Sequence, residues 1–441
     1  MSRSAVLCSM PATGHVGPLS VVAGELVRRG WRVRMLTGAG YETPVRASGA
    51  EFVALPPEAD TLDSIGAGER TRGLATINHG VEQAFVAPAA PAGRALEQML
   101  ADEPADVVLH DMTFLGVQTL FSRPREQRPA TVLCGIGPAG FSSVDTAPYG
   151  LGLVPWRRTR PNRLRNRLLY RTSRVVLRPV HRSLDRFLAD VGAPGLDGAF
   201  FMDVLDRSDL LAQFTVPEFE YTRSDAPAGL RFYGPMVPPG AAEVADVATP
   251  AWFDDLDPDL PLVHVTQGTV ANTDFTEVVG PTVEALADRD VQVAVTTGGR
   301  PTSALDDLGP LPANVFVASY LPYDELLART DVLVTNGGYG GLHHAMRHGV
   351  PIVIAGDSED KVETSTRVQH AGVGINLRTG RPTPAAVGRA VQTVLDDGAY
   401  ARRAHEVGVA IARSSGVVGL VDDVEALVLQ QVSHPPLTKE S

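Results

Sequence analysis

Short apolar runs rich in β-branched residues alternate along most of this chain with longer stretches that have helical spacing. The first series contains AVLC at 5–8, RVRML at 32–36, DVVLH at 106–110 and TVLCGI at 131–136. The pattern breaks between about 140 and 235 and restarts with PLVHVT at 261–266, VQVAVTT, NVFVASY, DVLVTN and VPIVIA. Because repeated strand–helix units form parallel sheets covered on both faces, we predict two doubly wound α/β domains.

The chain of 441 residues is too long for one ordinary hydrophobic core. The stretch YGPMVPPGAA at 233–242, rich in proline and glycine, is typical of a linker. We therefore predict an N-terminal domain over residues 1–234, a second domain over 235–415, and a C-terminal helix over 416–441 that packs back on the first domain.

Composition excludes several classes of protein. A net charge of −12 argues against general nucleic-acid binding, because an acidic surface repels the phosphate backbone. No apolar run approaches the roughly 18 residues that span a bilayer, and the N-terminus lacks a leader pattern, so we expect a cytoplasmic protein. Cys8 and Cys134 lie inside predicted strands and are expected to be buried thiols rather than a disulfide.

A histidine and an aspartate each follow a predicted strand of the first series. ATGHVG follows AVLC after three intervening residues, and HDM directly follows DVVL. Because ligands bind at the carboxyl ends of parallel strands, His15 and Asp111 could meet at one sheet edge, where the pair would act as a general base. The alternatives are a histidine that bonds a loop carbonyl and an aspartate that caps a helix.

Four glycines follow a strand in VTNGGYGGLHHAM, residues 334–346. Such a turn lets the backbone approach a ligand, and the following helix N-terminus attracts an anion, so we predict a phosphate site. The spacing matches neither the dinucleotide G-x-G-x-x-G pattern nor a Walker loop. The alternative is a glycine-rich turn that binds nothing.

The histidines of the same stretch suggest a metal site, because His344 and His348 share a helix face beside His343. No acidic or cysteine partner accompanies them, so no metal is expected.

Residues 156–188 form an arginine-rich segment, with nine arginines from Arg157 to Arg178. Apolar residues are spaced along it as a stripe, at Leu164, Leu168, Val175 and Leu184. Basic amphipathic helices can lie on anionic membranes. Arginine side chains also cover apolar protein surface, and we favour a solvated helix over membrane contact.

Residues 314–378, beginning NVFVASYLPYDELL, resemble the donor-binding signature of GT-B glycosyltransferases that use nucleotide sugars. GHVGPL resembles that family's N-terminal base loop, and VTQGTVAN at 265–272 resembles its first C-terminal strand and phosphate loop. The resemblance is to bacterial natural-product enzymes of the macrolide and antibiotic type. It covers nearly the whole chain and is weakest between about 140 and 235.

The resemblance implies two Rossmann-like domains that face each other across a cleft, with acceptor on the first and donor on the second. It implies that His15 deprotonates an acceptor hydroxyl while Asp111 orients the imidazole. The oxygen would displace a nucleoside diphosphate with inversion. A nucleotide sugar, UDP- or dTDP-linked, is the co-substrate; no metal and no other cofactor are implied.

The donor positions also carry over from the resemblance. It assigns the nucleobase to Tyr320, the diphosphate to the glycine-rich turn and its partner loop, and the sugar hydroxyls to Asp360. Three positions depart from the family: Asn336 replaces a histidine at the diphosphate, His344 a glutamate at the ribose, and Lys361 a glutamine at the sugar. The full donor set is Gly14, Gly268, Thr269, Tyr320, Leu321, Asn336, Gly338, Gly340, Gly341, His344, Asp360 and Lys361.

The implied function is an inverting, metal-independent hexosyltransferase that glycosylates a small, largely apolar natural product such as a polyketide antibiotic. A catalytically silent GT-B auxiliary that binds or activates a partner enzyme is the alternative. A sugar-nucleotide epimerase or hydrolase with the same fold ranks third, because its acid and base groups are expected elsewhere in the cleft. We expect a monomer or homodimer that binds no nucleic acid.

Overall fold

A computed structural model describes residues 3–61, 78, 80–156, 158–236, 249–269, 272–357 and 360–432. Linker positions 237–242, and residues 433–441 of the predicted C-terminal helix, lie outside this described part. No described helix is both long and apolar enough to cross a membrane.

Seven parallel strands form the first sheet, in the spatial order β3-β2-β1-β4-β5-β6-β7. Strands β1, β4, β5 and β6 are wholly buried, as expected for a sheet covered on both faces. The strands are β1 (Ser4–Cys8), β2 (Arg32–Thr37), β3 (Glu51–Ala54), β4 (Val107–Asp111), β5 (Ala130–Gly135), β6 (Leu210–Gln213) and β7 (Leu230–Phe232).

The second sheet has six parallel strands in the order β10-β9-β8-β11-β12-β13. In both sheets the first strand of the series lies third from one edge, so each sheet has a point where the strand order reverses. The prediction of two doubly wound parallel sheets is confirmed. The strands are β8 (Leu262–Thr266), β9 (Gln292–Thr296), β10 (Val315–Ala318), β11 (Val332–Thr335), β12 (Ile352–Ile354) and β13 (Gly374–Asn376).

Helices connect the strands and cover both sheets. In the first half they are α1 (Thr13–Arg28), α2 (Glu42–Ala47), α3 (Ala89–Asp102), α4 (Arg160–Val176) and α5 (Arg178–Asp190). In the second half they are α6 (Val279–Leu286), α7 (Tyr323–Arg329), α8 (Tyr339–Arg347), α9 (Lys361–Ala371), α10 (Pro384–Asp396), α11 (Ala399–Arg413) and α12 (Gly416–Val432).

The last helix, α12, packs on the first sheet rather than the second. Its buried residues Leu420, Val421 and Val424 belong to the same core as helix α1. Arg29 beyond the end of α1 donates to Asp422 at 2.6 Å. The chain therefore crosses between the two halves twice, although the predicted boundary at 234/235 stays a prediction.

The connection between β6 and β7 reaches into the core of the second half. Phe219 is fully buried there, with its ring centroid 5.2 Å from that of His343. Thr215 Oγ1 lies 2.6 Å from His343 Nε2. Apolar and polar contacts thus join the two halves close to helix α8.

Candidate active site

The carboxylate of Asp111 lies fully buried at the carboxyl end of β4, beside the end of the neighbouring strand β1. Its Oδ2 accepts from Met10 N at 2.7 Å and from Ser9 Oγ at 3.3 Å. Its Oδ1 accepts from Thr113 N at 2.6 Å and Phe114 N at 2.9 Å. Donors from two adjacent strand ends therefore fix this side chain in one orientation.

His15 lies in the first turn of α1, with Nδ1 3.1 Å from Asp111 Oδ2. Thr113 Oγ1 donates to Asp111 Oδ1 at 2.6 Å and lies 3.1 Å from the same Nδ1. Both neighbours accept at Nδ1, which favours the tautomer with the proton there and the lone pair on Nε2. The predicted meeting of His15 and Asp111 is thus seen in the structure.

Charge around Asp111 keeps it ionised despite its burial. Burial acts to raise the pKa of the carboxyl, but the nearby His15 and the hydrogen bonds from His15, Thr113 and Met10 outweigh it and lower the pKa below its usual value. A carboxylate that stays charged can stabilise a protonated imidazole. The pair therefore has the electrostatics of a general base and its partner.

Sequence reasoning missed Thr113, which contacts both members of the pair. The signal was present, because an aspartate followed two residues later by threonine at the end of a strand is typical of a side-chain–backbone turn. Asp111 and Thr113 therefore belong to one hydrogen-bonded turn.

The glycine-rich turn follows β11 and leads into helix α8. Gly337 has φ +101°, and a β-carbon there would lie 2.8 Å from Ile354 Cδ1, so only glycine is compatible with this turn. Gly338 and Gly340 are exposed, and the space in front of each is open; Gly341 is also uncrowded. A ligand can therefore approach the first N–H groups of the helix closely.

A second loop follows β8, the neighbour of β11 in the sheet. Gly268 has φ +71° with open space before it, and Thr269 is exposed. Asn336 is buried and its Nδ2 donates to the backbone oxygen of Gln267 at 2.8 Å. Asn336 therefore links the two loops, and its amide nitrogen already forms a hydrogen bond within the protein.

The predicted nucleobase and ribose residues lie on β10–α7 and on α8. Tyr320 is half-buried, with its ring so close to Gly299 that a β-carbon there would lie 2.7 Å from it. Leu321 is buried. His344 Nδ1 is buried without a hydrogen-bond partner among the described residues, and burial lowers the pKa of this imidazole.

Asp360, in the second half, lies close to residues of the first half. It directly precedes helix α9, and its Oδ2 lies 4.0 Å from the position a β-carbon would take at Gly137, after β5. Met112 Sδ lies 3.3 Å from the same position. Since Met112 follows Asp111, the predicted sugar-reading acid lies near the predicted base pair. Lys361 is buried beside it, and Gly14 is exposed next to His15.

A buried ionic cluster joins the halves close to Asp360. Arg367 on α9 donates to Glu220 Oε1 at 2.9 Å, to Glu363 Oε2 at 2.6 Å and to the backbone oxygen of Ala139 at 3.2 Å. Glu363 Oε1 accepts from the backbone N–H of Gly150 at 2.8 Å. The cluster therefore fixes the 139–152 loop of the first half against α9.

His343 of α8 is held by hydrogen-bond partners within the fold. His343 Nε2 lies 2.6 Å from Thr215 Oγ1, and its Nδ1 lies 2.8 Å from the backbone oxygen of Tyr339. Burial lowers the pKa of His343 to about 4. Within the described ranges, no group of three or more His, Cys, Asp or Glu side chains could hold a metal ion.

Known proteins resemble this chain over nearly its full length. A family model described as Erythromycin biosynthesis protein CIII-like, C-terminal domain, matches residues 281–427. The chain is 38% identical over 440 residues to 4'-demethylrebeccamycin synthase of Lentzea aerocolonigenes, covering 97% of this chain and 100% of that protein. It is 32% identical over 437 residues to UDP-glycosyltransferase 2 of Phaeomoniella chlamydospora, covering 96% and 95%.

Solved structures share the fold. The crystal structure of the calicheamicin glycosyltransferase aligns with a TM-score of 0.73 at 24% identity, covering 97% of this chain and 99% of that one. The spinosyn rhamnosyltransferase aligns with a TM-score of 0.66 at 17% identity, over 96% and 100%. The two-sheet architecture is therefore common to all three.

Proposed function

The chain belongs to the family of GT-B glycosyltransferases that act on natural products, and from that premise we propose that it is an inverting enzyme using a UDP- or dTDP-linked sugar. This membership confirms the resemblance and the transferase activity predicted from sequence, and it disfavours the silent auxiliary. The acceptor that we propose is a hydroxyl of a small, largely apolar natural product such as a polyketide.

The pairing of His15 Nδ1 with the buried Asp111 carboxylate at 3.1 Å is the observation that carries the proposal. His15 Nε2 takes the proton of the acceptor hydroxyl as its oxygen attacks the anomeric carbon. The bond between that carbon and the diphosphate oxygen breaks, and the electron pair leaves with the diphosphate. Asp111 stabilises the imidazolium, and Thr113 helps to hold the tautomer.

The glycines at the N-terminus of α8, which have open space in front of them, form the proposed binding site for the leaving diphosphate. Backbone N–H groups at Gly338, Gly340 and Gly341, together with the helix dipole, stabilise the charge that develops on the diphosphate. We propose that Gly268, Thr269 and Gly14 also contact the diphosphate, while Asn336 holds the two loops of the second half together. The nucleotide sugar is thus a co-substrate and needs no metal ion in this scheme.

On the remaining donor positions we propose that Tyr320 and Leu321 contact the base, that His344 contacts the ribose, and that Asp360 with Lys361 reads the sugar. We also propose a cytoplasmic monomer or homodimer, as expected from the sequence.

Nucleotide binding is tested by thermal stabilisation. UDP or dTDP at about 100 times its Kd should stabilise the folded protein by about 2.7 kcal/mol and raise Tm by a few degrees. Gly340→Asp should abolish this shift, because it places a negative charge in the open space before α8 where the diphosphate would lie. The unliganded variant should fold normally, since an acid suits a helix N-terminus.

Gly40→Asp is the matched control, because Gly40 is exposed and also has open space before it. It should keep the full shift. If neither nucleotide stabilises the wild type, or if Gly340→Asp retains the shift, the proposed donor site is wrong.

The sugar-reading role of Asp360 is tested by Asp360→Asn. Loss of charged hydrogen bonds to sugar hydroxyls should lower kcat/KM for the nucleotide sugar by about 10- to 150-fold, since each such bond contributes about 1.5–3 kcal/mol. The Kd for UDP or dTDP alone should not change. Asp357→Asn, at an exposed aspartate three residues earlier, should leave kcat/KM unaltered; equal losses in both variants would contradict the assignment.

A further inference from the structure

Helix α4 turns an apolar stripe away from the protein. Leu164, Leu168 and Val175 are 58%, 53% and 73% exposed. At 100° per residue these three positions lie within about 40° of each other around the helix axis. The buried residues of the helix, Asn166 and Tyr170, lie on the opposite side. The stripe therefore faces solvent, and only Leu184 of the predicted stripe packs into the core.

The segment before the helix adds further exposed apolar side chains. Trp156 is 71% exposed, and Leu151 and Leu153 are each 42% exposed. Six of the nine exposed large apolar side chains in the described part of the chain lie between residues 151 and 175. Apolar surface concentrated in one short segment is a mark of an interaction site.

Arginines flank the stripe. No aspartate or glutamate occurs from residue 146 to residue 184, in a chain whose net charge is −12. Several exposed arginines form no ion pair with any residue that the structure describes, whereas Arg163 pairs with Asp145 at 3.0 Å. The unpaired arginines are Arg160, Arg167, Arg171, Arg178 and Arg182.

The sequence alone favours a solvated helix here, but the exposure of the apolar stripe reverses that preference. We propose that this basic apolar face, formed by residues 151–156 and helices α4 and α5, docks on the surface of a bilayer that contains anionic phospholipid. Arginines would meet the lipid phosphates while Trp156 and the leucines enter the interfacial region. The charge complementarity is local, since the rest of the chain is acidic. Docking does not depend on the proposed sugar transfer.

Other occupants match the face less well. A nucleic-acid backbone would satisfy the arginines but leave the aliphatic stripe without an apolar partner. A second copy bound by the same face would bring two arginine clusters together, because a twofold interface pairs identical surfaces. A lipid surface satisfies both the charge and the apolar area.

The face is connected to the contact between the two halves. Gly152 donates its N–H to Glu363 Oε1 at 3.1 Å, and Trp156 follows four residues later. Four residues span at most about 14 Å. Docking would therefore hold the loop that contacts α9 close to the bilayer, where apolar molecules concentrate.

Flotation of the full-length chain with phosphatidylcholine vesicles, with and without phosphatidylglycerol, tests the proposal. The protein should float with the anionic vesicles at low salt and bind less as salt rises. Substituting three arginines, Arg160→Gln, Arg167→Gln and Arg171→Gln, should weaken the partition about 100-fold at low salt. Substituting Leu164→Gln and Leu168→Gln should abolish flotation at moderate salt, because the charge contribution alone is screened.

The control variant is Val418→Gln with Leu429→Gln, which removes two exposed apolar side chains of α12, at 49% and 52% exposure, outside the proposed face. It should float like the wild type. Emission from Trp156 should shift to the blue on anionic vesicles, and Trp156→Phe should remove the shift, since Trp31 is buried and Trp252, stacked on Phe316 of the second half, lies outside the proposed face. No flotation at low salt would overturn the proposal. Unchanged flotation of the leucine variant, with competition by DNA or heparin, would overturn it in favour of a polyanion site.

Discussion

Replacing His15 by alanine should lower kcat by about two to four orders of magnitude while leaving the Kd for UDP or dTDP nearly unchanged. The imidazole is the proposed general base for the acceptor proton, and the proposed diphosphate site lies on the other half of the molecule. The fold should tolerate the change, because the buried Asp111 carboxylate keeps its bonds from Met10 and Thr113. Initial rates from product chromatography, together with nucleotide titration, separate the two parameters.

Asp111→Asn should also reduce kcat, because an amide can donate to Nδ1 and select the tautomer with its lone pair on the wrong nitrogen. His348→Ala is the matched control: its Nε2 lies 2.8 Å from Asp324 Oδ1, in a second histidine–aspartate pair outside the proposed site. Its kcat should stay within about twofold of the wild type. Near-normal turnover by His15→Ala, or a loss confined to nucleotide affinity, would rule out the base.

The order of apolar runs sufficed to predict two parallel sheets, because strands buried on both faces must be continuously apolar. The same rule failed between residues 140 and 235, where the structure has β6 and β7. These strands have only four and three residues and no regular helix between them. Both strands extend the sheet beyond β5, with β6 next to the edge and β7 at the edge. Short strands in such positions are stabilised by the existing sheet, so their own sequences need carry little pattern.

The proximity of His15 and Asp111 could be predicted because position in the fold decides it, while their catalytic role stays a prediction. His15 and Asp111 follow adjacent strands, so the sheet brings them together. Arg367 and Glu220 gave no such signal, because they are 147 residues apart and meet only when the two halves assemble. The exposure of Leu164 was also unpredictable, since helical spacing defines a stripe but not the direction in which it faces.

Replacing Arg367 by methionine should lower the free energy of unfolding by about 3–5 kcal/mol, the usual loss when one partner of a buried ion pair is removed. Burial acts to raise the pKa of Glu220, but the charges of Arg367 and Arg223 outweigh it and lower that pKa. Without Arg367 the fully buried carboxylate has lost its main counter-charge. Urea titration followed by circular dichroism measures the change.

Because the pKa of Glu220 is lowered in the folded state, its stabilising contribution is present above the unfolded pKa and is lost as pH falls through the folded pKa. The difference in the free energy of unfolding between wild type and Arg367→Met should therefore become smaller as the pH is lowered. Arg381→Met is the matched control: Arg381 also contacts two carboxylates, Asp274 at 2.8 Å and Glu277 at 3.1 Å, but is 59% exposed. Arg381→Met should lower the free energy of unfolding by only about 0–1 kcal/mol.

A double variant separates an uncompensated charge from lost packing. Glu220→Gln removes the charge and keeps one side-chain oxygen, which can accept from the backbone N–H of Ala139 or of Tyr221 but not from both, since these bond to different oxygens of Glu220. Glu363 still accepts from Gly150 and Gly152. Arg367→Met combined with Glu220→Gln should therefore recover part of the stability lost by Arg367→Met alone. If the double variant is no more stable than the single one, Arg367 stabilises the interface through its packing rather than its charge.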